Sequence, residues 1–599
     1  IRYPTMAQQP TSPRASERYV HALLQSLHRN GVRHIVIAPG SRNTPITLAA
    51  TAPGSPFRAW LHLDERSAGY FALGIARQTG EPVAVTCTSG TAAANLLPAA
   101  VEARLSRVPL ILLTADRPPE ARDIGAAQTV DQVGLYGSHV KWAVDLPAAD
   151  ESVIDGLERY AAATGARAAA AAVEAPAGPV HLNLPLREPL VYADSAPLPF
   201  DYAGGVESAP RAAARPGRGQ VARIVEAIAG RRGVIVCGPE SGGLPASAIV
   251  ALAGVLGWPV IADPLSGLRA GHHALDAVVD TADALVREPG FAAGATPEVV
   301  LRFGAAPTSK PLNEWLAAAP GLTRILVDPA DATTSGWRDP DLRSALTVAA
   351  DPGAFCSALL ESIDSRMAAS EDWLTLWREA DAAARSAMTD AILALDEPFE
   401  GRPVVDLAAA LPDGGTLVAG NSMPVRDIDS FFPTLDRDVR VTGTRGASGI
   451  DGVVSTAAGA AAVSAGPVAL LVGDISFLHD LNGLWPVRRH GLDLTIVLVN
   501  NEGGGIFNFL PQRAAVPDRF DEWWGTSPGL DARHAVELHG GRYARLEGDG
   551  TSAIADALAR PGLDVLELRT ERDRNVALHR EVWARATEAV RDVVAAARA

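Results

Sequence analysis

PVALLVGDISFLHDLNGLWPVRRHGLDLTIVLVNNEGGGIFNFL, residues 467–510, contains two apolar runs, Val468–Val472 and Leu494–Val499. Each is too short to span a membrane and too continuous for a half-exposed strand, so both predict strands of a parallel sheet buried on its two faces. Each run ends in polar chemistry, the first in Gly473-Asp474 and the second in Asn500-Asn501-Glu502-Gly503-Gly504. Between them His479–His490 predicts a helix, with Leu481, Leu484, Trp485 and Val487 apolar and Gly491 as its stop. The result is a βαβ unit, and the fold class is α/β.

In an open parallel sheet, ligands collect beyond the carboxyl ends of the strands, where Asp474 and Asn501 fall. A carboxylate, a side-chain amide and the backbone of a glycine turn at Gly503 are all oxygen ligands. That set suits Mg²⁺, which keeps few protein ligands and completes its octahedron with phosphate and water. Either residue alone would pass for a helix cap or an ordinary turn. On adjacent strands with a Gly-rich exit, the pair points to a metal and a diphosphate. The pattern resembles the thiamine diphosphate signature, a Gly-Asp followed a helix later by Asn-Asn, with one departure: Ile475 stands where that superfamily usually has glycine.

Chain length and composition set the limits. At 599 residues the prior is about four domains of ~150 residues or three larger ones, with ample core. The net charge of −16 argues against a nucleic-acid or anionic-membrane partner, so local arginines must explain any anionic substrate. Cys87, Cys237 and Cys356 are far apart, which indicates neither a disulfide framework nor a zinc site and suggests a reducing cytoplasm. Residues 1–15 carry no secretory pattern, and Met6 is a candidate initiator. The small-residue stretch Ser455–Gly473 is interrupted by Ser464, Gly466 and Pro467; it predicts a buried helix leading into a strand and no membrane span.

Upstream, Ser16–Arg29 is an amphipathic helix with Tyr19, Leu23, Leu24 and Leu27 inward. Strand Arg33–Ala38 follows, then Pro39-Gly-Ser41-Arg42-Asn-Thr44, where a serine and an arginine on a glycine turn offer donors to a carboxylate or phosphate. Glu65 sits where a strand end becomes a helix. The alternation continues with strands Pro82–Thr86, Leu110–Ala115 and Pro179–Leu184, and residues 188–220 read as a linker. A second α/β region has strands Val234–Cys237, Val260–Ala262, Val299–Phe303 and Arg324–Val327, with Lys310 in a loop Gly304–Trp315. A helix Glu371–Leu395 leads to a hinge Asp396–Arg402. The third region holds strand Thr416–Ala419 and the turns that carry Arg426 and Arg445.

PGSRNTP, LDERSAGYFALG, TSGTAAANLLPA, LLTADRPPEARDIGAAQ, GNSMPVRDID, TRGASGIDGVVSTAAG and LVGDISFLHDLNGL together resemble the MenD family, 2-succinyl-5-enolpyruvyl-6-hydroxy-3-cyclohexene-1-carboxylate (SEPHCHC) synthases. The likeness covers about residues 16–590 and is weakest in the middle. In that branch an aliphatic residue commonly follows the Gly-Asp, so Ile475 fits. The resemblance implies three doubly wound parallel-sheet domains of the thiamine diphosphate-enzyme type: 1–195 pyrimidine-binding, 196–395 linker and central, 396–599 diphosphate- and metal-binding. It also implies a cytoplasmic transferase of menaquinone biosynthesis. Such an enzyme joins the unit left when 2-oxoglutarate loses CO₂ to isochorismate.

Residue roles follow from the resemblance. Glu65 is expected against the cofactor's pyrimidine ring, and Ile450 as the apolar wedge that keeps the cofactor bent. Gly473, Asp474, Ile475 and Asn501 are expected along its diphosphate. Asp474, Asn501 and Gly503 would hold Mg²⁺, with Mn²⁺ an acceptable substitute. Arg42, Ser422 and Arg426 join Glu65 as catalytic candidates. Ser41, Arg42, Arg117, Gln128, Lys310, Arg426 and Arg445 would orient substrate carboxylates and hydroxyls, beside an apolar wall of Ile506 and Phe507. The implied assembly is a homodimer with shared sites, or a dimer of dimers. Two alternatives stay open: an acetohydroxyacid-synthase-like carboligase, with or without bound FAD, and an inactive structural or regulatory relative. The arginines and Ile475 weigh against the first, and intact Glu65, Asp474 and Asn501 against the second.

Overall fold

Every apolar run that predicts a strand forms one, and in a computed structural model of the chain the strands build three six-stranded sheets, parallel in every pairing. The structure describes residues 14–191, 198, 200, 205–208, 212–329, 338–529 and 531–598. The chain divides into two compact units, residues up to 211 together with 458–463, and 212–457 together with 464–599.

The first unit holds β1 (His34–Ile37), β2 (Arg58–Leu61), β3 (Val83–Cys87), β4 (Leu110–Asp116), β5 (Trp142–Asp145) and β6 (Val180–Pro185), in the order β2-β1-β3-β4-β6-β5. Its amphipathic helix runs Arg14–Arg29, with Tyr19, Leu23, Leu24 and Leu27 buried in the core.

The second unit carries two sheets. One contains β7 (Gly233–Cys237), β8 (Val260–Ala262), β9 (Val278–Val279), β10 (Val299–Phe303), β11 (Thr323–Val327) and β12 (Leu346–Val348), ordered β12-β11-β10-β7-β8-β9. The other contains β13 (Thr416–Ala419), β14 (Arg440–Gly443), β15 (Val468–Gly473), β16 (Leu494–Asn500), β17 (Arg542–Arg545) and β18 (Leu563–Arg569), ordered β14-β13-β15-β16-β18-β17. The two share one apolar core. Arg269, buried, pairs with Asp429 at 2.9 Å and donates to the Asp429 and Phe432 carbonyls.

Ranked within their own sheets, the first and third share one strand order, with the direction of winding reversing between β1 and β3 and between β13 and β15. Those reversals are the crevices where doubly wound sheets bind ligands. In the second sheet the equivalent reversal lies between β7 and β10, and there backbone fills the space: a Cβ on Gly238 would stand 1.7 Å from the Ala305 carbonyl oxygen.

The helix expected over His479–His490 is in fact three pieces: Asp474–His479, a 3-10 turn Leu481–Gly483, and Leu484–His490 ending on Gly491 in the left-handed region. Asp480 causes the break. Fully buried, it spends its carboxylate on the backbone N–H and hydroxyl of Ser455, at 2.7 and 3.0 Å. The first piece therefore starts at Asp474 itself, directly off β15.

Candidate active site

At the β13/β15 crevice the third sheet opens a cavity of about 490 Å³, lined among others by Asn421, Ser422, Arg426, Arg445, Ile450, Gly473, Asp474, Ile475, Asn501, Gly503, Ile506 and Phe507. Asp474 begins its helix and is 7% exposed. Its Oδ1 accepts from the Ile475 N–H and its Oδ2 from the Gly503 N–H, each at 2.8 Å. Burial pushes its carboxyl up to about 6, against the hydrogen bonds it accepts from Ile475 and Gly503.

Gly503 has φ +141°, and a Cβ there would come within 1.9 Å of the Gly525 carbonyl oxygen, so only glycine lets the turn close onto Asp474. Asn501 is buried. Its Nδ2 donates to Glu400 Oε1 at 2.9 Å, whereas its Oδ1 is buried with no hydrogen-bond partner.

The opposite wall is cationic. Ser422 takes φ +70°, a non-glycine residue in the left-handed region, at a cost of about 1–3 kcal/mol that the surroundings must offset. It opens the helix Met423–Phe431, whose Arg426 donates from Nη1 to the Ser422 carbonyl at 2.6 Å. Burial first, then the nearby charge of Arg445, lowers the Arg426 pKa, and the charges of Asp427 and Asp429 offset this only in part. Arg445 donates to Asn421 Oδ1 at 2.9 Å. The Asn421 amide in turn donates to the Thr444 and Gly449 carbonyls, which ties the loop after β13 to the one carrying Ile450.

The first unit holds the other candidates around its own β1/β3 crevice. The Arg42 N–H donates to Thr88 Oγ1 at 3.3 Å, across the two strand ends. Its guanidinium, buried, donates to the Leu186 carbonyl at 2.7 Å and to Glu188 Oε1 at 3.2 Å, while its Nε is buried without a partner. Arg117, just past β4, reaches the same Glu188 oxygen at 4.0 Å. Ser41 lies exposed in the turn beside Arg42. Gln128, at φ +57°, exchanges hydrogen bonds of 3.0 Å with Ser89, and so braces the turn after β3. Glu65 is the first residue of the helix Glu65–Thr79, where Asp64 supplies the cap by accepting from the Arg66 and Ser67 N–H groups. The Glu65 carboxylate is thus left out of the cap.

Comparison with known proteins decides what these crevices belong to. Residues 17–135 match the family described as thiamine pyrophosphate enzyme, N-terminal TPP binding domain; 215–418 match the middle domain, and 437–568 the C-terminal TPP binding domain. A 2-succinyl-5-enolpyruvyl-6-hydroxy-3-cyclohexene-1-carboxylate synthase from Geobacillus thermodenitrificans is 46% identical over 96% of each chain. The protein of that name from Chloroflexus aurantiacus is 46% identical over 95% of this chain and 96% of its own. The chain belongs to the SEPHCHC synthase family. A likeness in fold extends to a solved thiamin diphosphate-dependent enzyme from Mycobacterium smegmatis, at a TM-score of 0.67 and 20% identity over 92% of this chain and 99% of that one.

The third-sheet crevice offers donors that suit a divalent cation and a diphosphate. Asp474 is a carboxylate whose pKa burial raises to about 6, and Asn501 Oδ1 is a buried acceptor without a donor; a hard cation would relieve both. Among the described residues no three His, Cys, Asp or Glu side chains gather around a metal. One carboxylate, one amide and one backbone oxygen would leave the remaining positions of such an ion to phosphate and water.

Lys310 is not among the residues that line this cavity. It opens the helix Lys310–Ala318 where a loop was expected, 79% exposed and paired with Glu314 at 3.5 Å. In the other direction, sequence reasoning missed Glu400, Asn421 and Glu188. Asn421 lies inside the quoted GNSMPVRDID and was within reach; Glu400 lies in the stretch expected to be a hinge and is 1% exposed.

Proposed function

We propose that this chain is a thiamine diphosphate-dependent SEPHCHC synthase, which decarboxylates 2-oxoglutarate and adds the remaining four-carbon unit to isochorismate. The observation that carries this reading is the cavity in which buried Asp474 and the orphaned Asn501 oxygen face a pair of arginines. Asp474, Asn501 and the Gly503 backbone would hold Mg²⁺ against the diphosphate. The cofactor, when bound, supplies the electron sink for the charge left as CO₂ departs.

The protein's own residues do the rest. Arg426 and Arg445 neutralise and orient substrate carboxylates, and the burial of Arg426 strengthens its contact. Arg42 and Arg117 converge on the Glu188 carboxylate, which supports a carboxylate-binding role for that pair as well. Ile450, Ile506 and Phe507 keep water from the reacting carbon, and Ser422 presents a hydroxyl beside Arg426. Glu65 holds a proton at the pyrimidine ring.

The same reading takes the assembly to be a homodimer, with residues 1–195 of one chain facing residues 396–599 of the other. Exposed apolar side chains near Glu65 and Gln128 in sequence support it: Leu63, Ile124, Val130 and Val133. All three cysteines are free and buried, as suits a reducing cytoplasm, and no helix among the described residues is long and apolar enough to cross a membrane.

Turnover tests the reading. With Mg²⁺ and thiamine diphosphate, product of the SEPHCHC mass should form from 2-oxoglutarate and isochorismate together, and not when pyruvate replaces 2-oxoglutarate; condensation of pyruvate would favour the acetohydroxyacid-type alternative. Arg426→Ala should lower kcat/KM by about 2–4 kcal/mol in transition-state terms, and Arg426→Lys should recover little of a bidentate contact. A near-wild-type kcat/KM would remove Arg426 from the site.

A further inference from the structure

A side-chain amide offers an oxygen at one end and an N–H₂ at the other, of nearly the same shape, so a metal-ligating asparagine needs something to decide which end faces the ion. In this protein the deciding group stands opposite Asn501. Its Nδ2 donates at 2.9 Å to Oε1 of Glu400, and the same oxygen accepts from the Thr570 hydroxyl at 2.9 Å. Thr570 is itself fixed, because its N–H donates to the Asn500 carbonyl at 3.0 Å, at the end of the strand that delivers Asn501. Glu400 is 1% exposed and lies at the wall of the cavity. On the near side, Gly505 closes in: a Cβ there would be 2.4 Å from Asn501 Nδ2. The amide is therefore held between Glu400 and the Gly505 backbone, while its own Oδ1 is buried without a protein partner.

We infer that Glu400 is a positioning residue that locks the Asn501 amide with its oxygen toward the metal. The inference rests on the assignment of Asn501 as a ligand made above. The chemistry of the residue type suits the task. Glu400 Oε1 is already committed as an acceptor to the Thr570 hydroxyl, so turning the amide over would set Asn501 Oδ1 against it, two acceptors facing one another in a buried place. Glu400 would contribute no bond to the ion; it would act through Asn501, as outer-shell groups at metal sites do.

The test is a Mg²⁺ titration of the full-length protein at fixed thiamine diphosphate, read as the rise in melting temperature. Glu400→Leu should raise the Mg²⁺ concentration for half-maximal stabilisation by about 10–100-fold. Should that variant fail to fold, Glu400→Ala, which leaves room for water beside Asn501 and Thr570, takes its place. Glu400→Gln still offers an oxygen to Asn501 Nδ2 and should stay within a few-fold of wild type. In an Asn501→Asp background, whose carboxylate presents an oxygen whichever way it turns, removing Glu400 should shift the midpoint little. If wild-type protein is stabilised but Glu400→Leu titrates like it, or Glu400→Gln shifts as far as Glu400→Leu, the inference is overturned while the metal site stands. If wild-type protein itself gains no stability from Mg²⁺ and thiamine diphosphate, it is the assignment of the cavity that falls.

Discussion

Glu65→Gln should slow turnover by about 10²–10⁴-fold, the usual worth of a positioned proton-transfer group, and leave the fold intact. The fold survives because Asp64, not Glu65, caps the helix Glu65–Thr79 through the Arg66 and Ser67 N–H groups. A glutamine keeps the length and the acceptor oxygen of the side chain and loses only the ability to hold a proton. Cofactor-dependent stabilisation should persist in the variant, whereas exchange of the thiazolium proton, followed by NMR, should fall with turnover. Exchange at the wild-type rate would end this assignment for Glu65.

Asp474→Ala should separate stability from cofactor binding, in opposite directions. With cofactor at about 100 times its Kd, the wild-type protein gains about 2.7 kcal/mol, and the variant should gain none. Without cofactor the variant should melt no lower than wild type. Asp474 is a buried carboxylate whose carboxyl is raised to about 6, and the two N–H groups it satisfies border an open cavity where water can replace it.

The pH sign follows from that raised value. A carboxyl with a higher pKa folded than unfolded makes the folded state bind more protons between the two values, so stability falls as pH rises through that interval. The apo variant should therefore gain on apo wild type from about pH 4, the unfolded value, up to about pH 6, and hold the gain above. Thermal melting across that range checks it; a variant that melts lower than wild type at pH 7 would contradict it.

Much of the fold was legible because its central strands are buried on both faces. Val468–Gly473 and Leu494–Asn500 are almost entirely buried, and such strands must be written as continuous apolar runs. The edge strands were not legible for the same physical reason. β5 and β17 are half-exposed and carry no such run: WAVD alternates in burial, and RYAR is mostly exposed. The break at Asp480 was hidden because its cause, Ser455, lies 25 residues upstream in another element.

Of the candidate site, the pairing of Asp474 with Asn501 in one cavity was legible because strand ends and Gly-rich turns mark a crevice in any doubly wound sheet. The same rule reads Lys310, which starts a helix, as lying in a loop, since a cation soon after a strand looks alike whether it sits in a turn or opens a helix toward solvent. Glu400 gave no local signal at all. Its meaning comes from Asn501, 101 residues on, and only folding brings the two together.

The central claim is that one site is made from two halves, Glu65 of one chain and Asp474 with Asn501 of another. Mixing inactive Glu65→Gln chains with inactive Asp474→Ala chains tests it most directly. In a closed two-fold dimer each mixed pair carries both defects at one site and neither at the other, so an equal mixture should recover about a quarter of wild-type activity after subunit exchange. If exchange is verified with tagged chains and the mixture stays as inactive as its components, the halves are not shared between chains and the account is wrong.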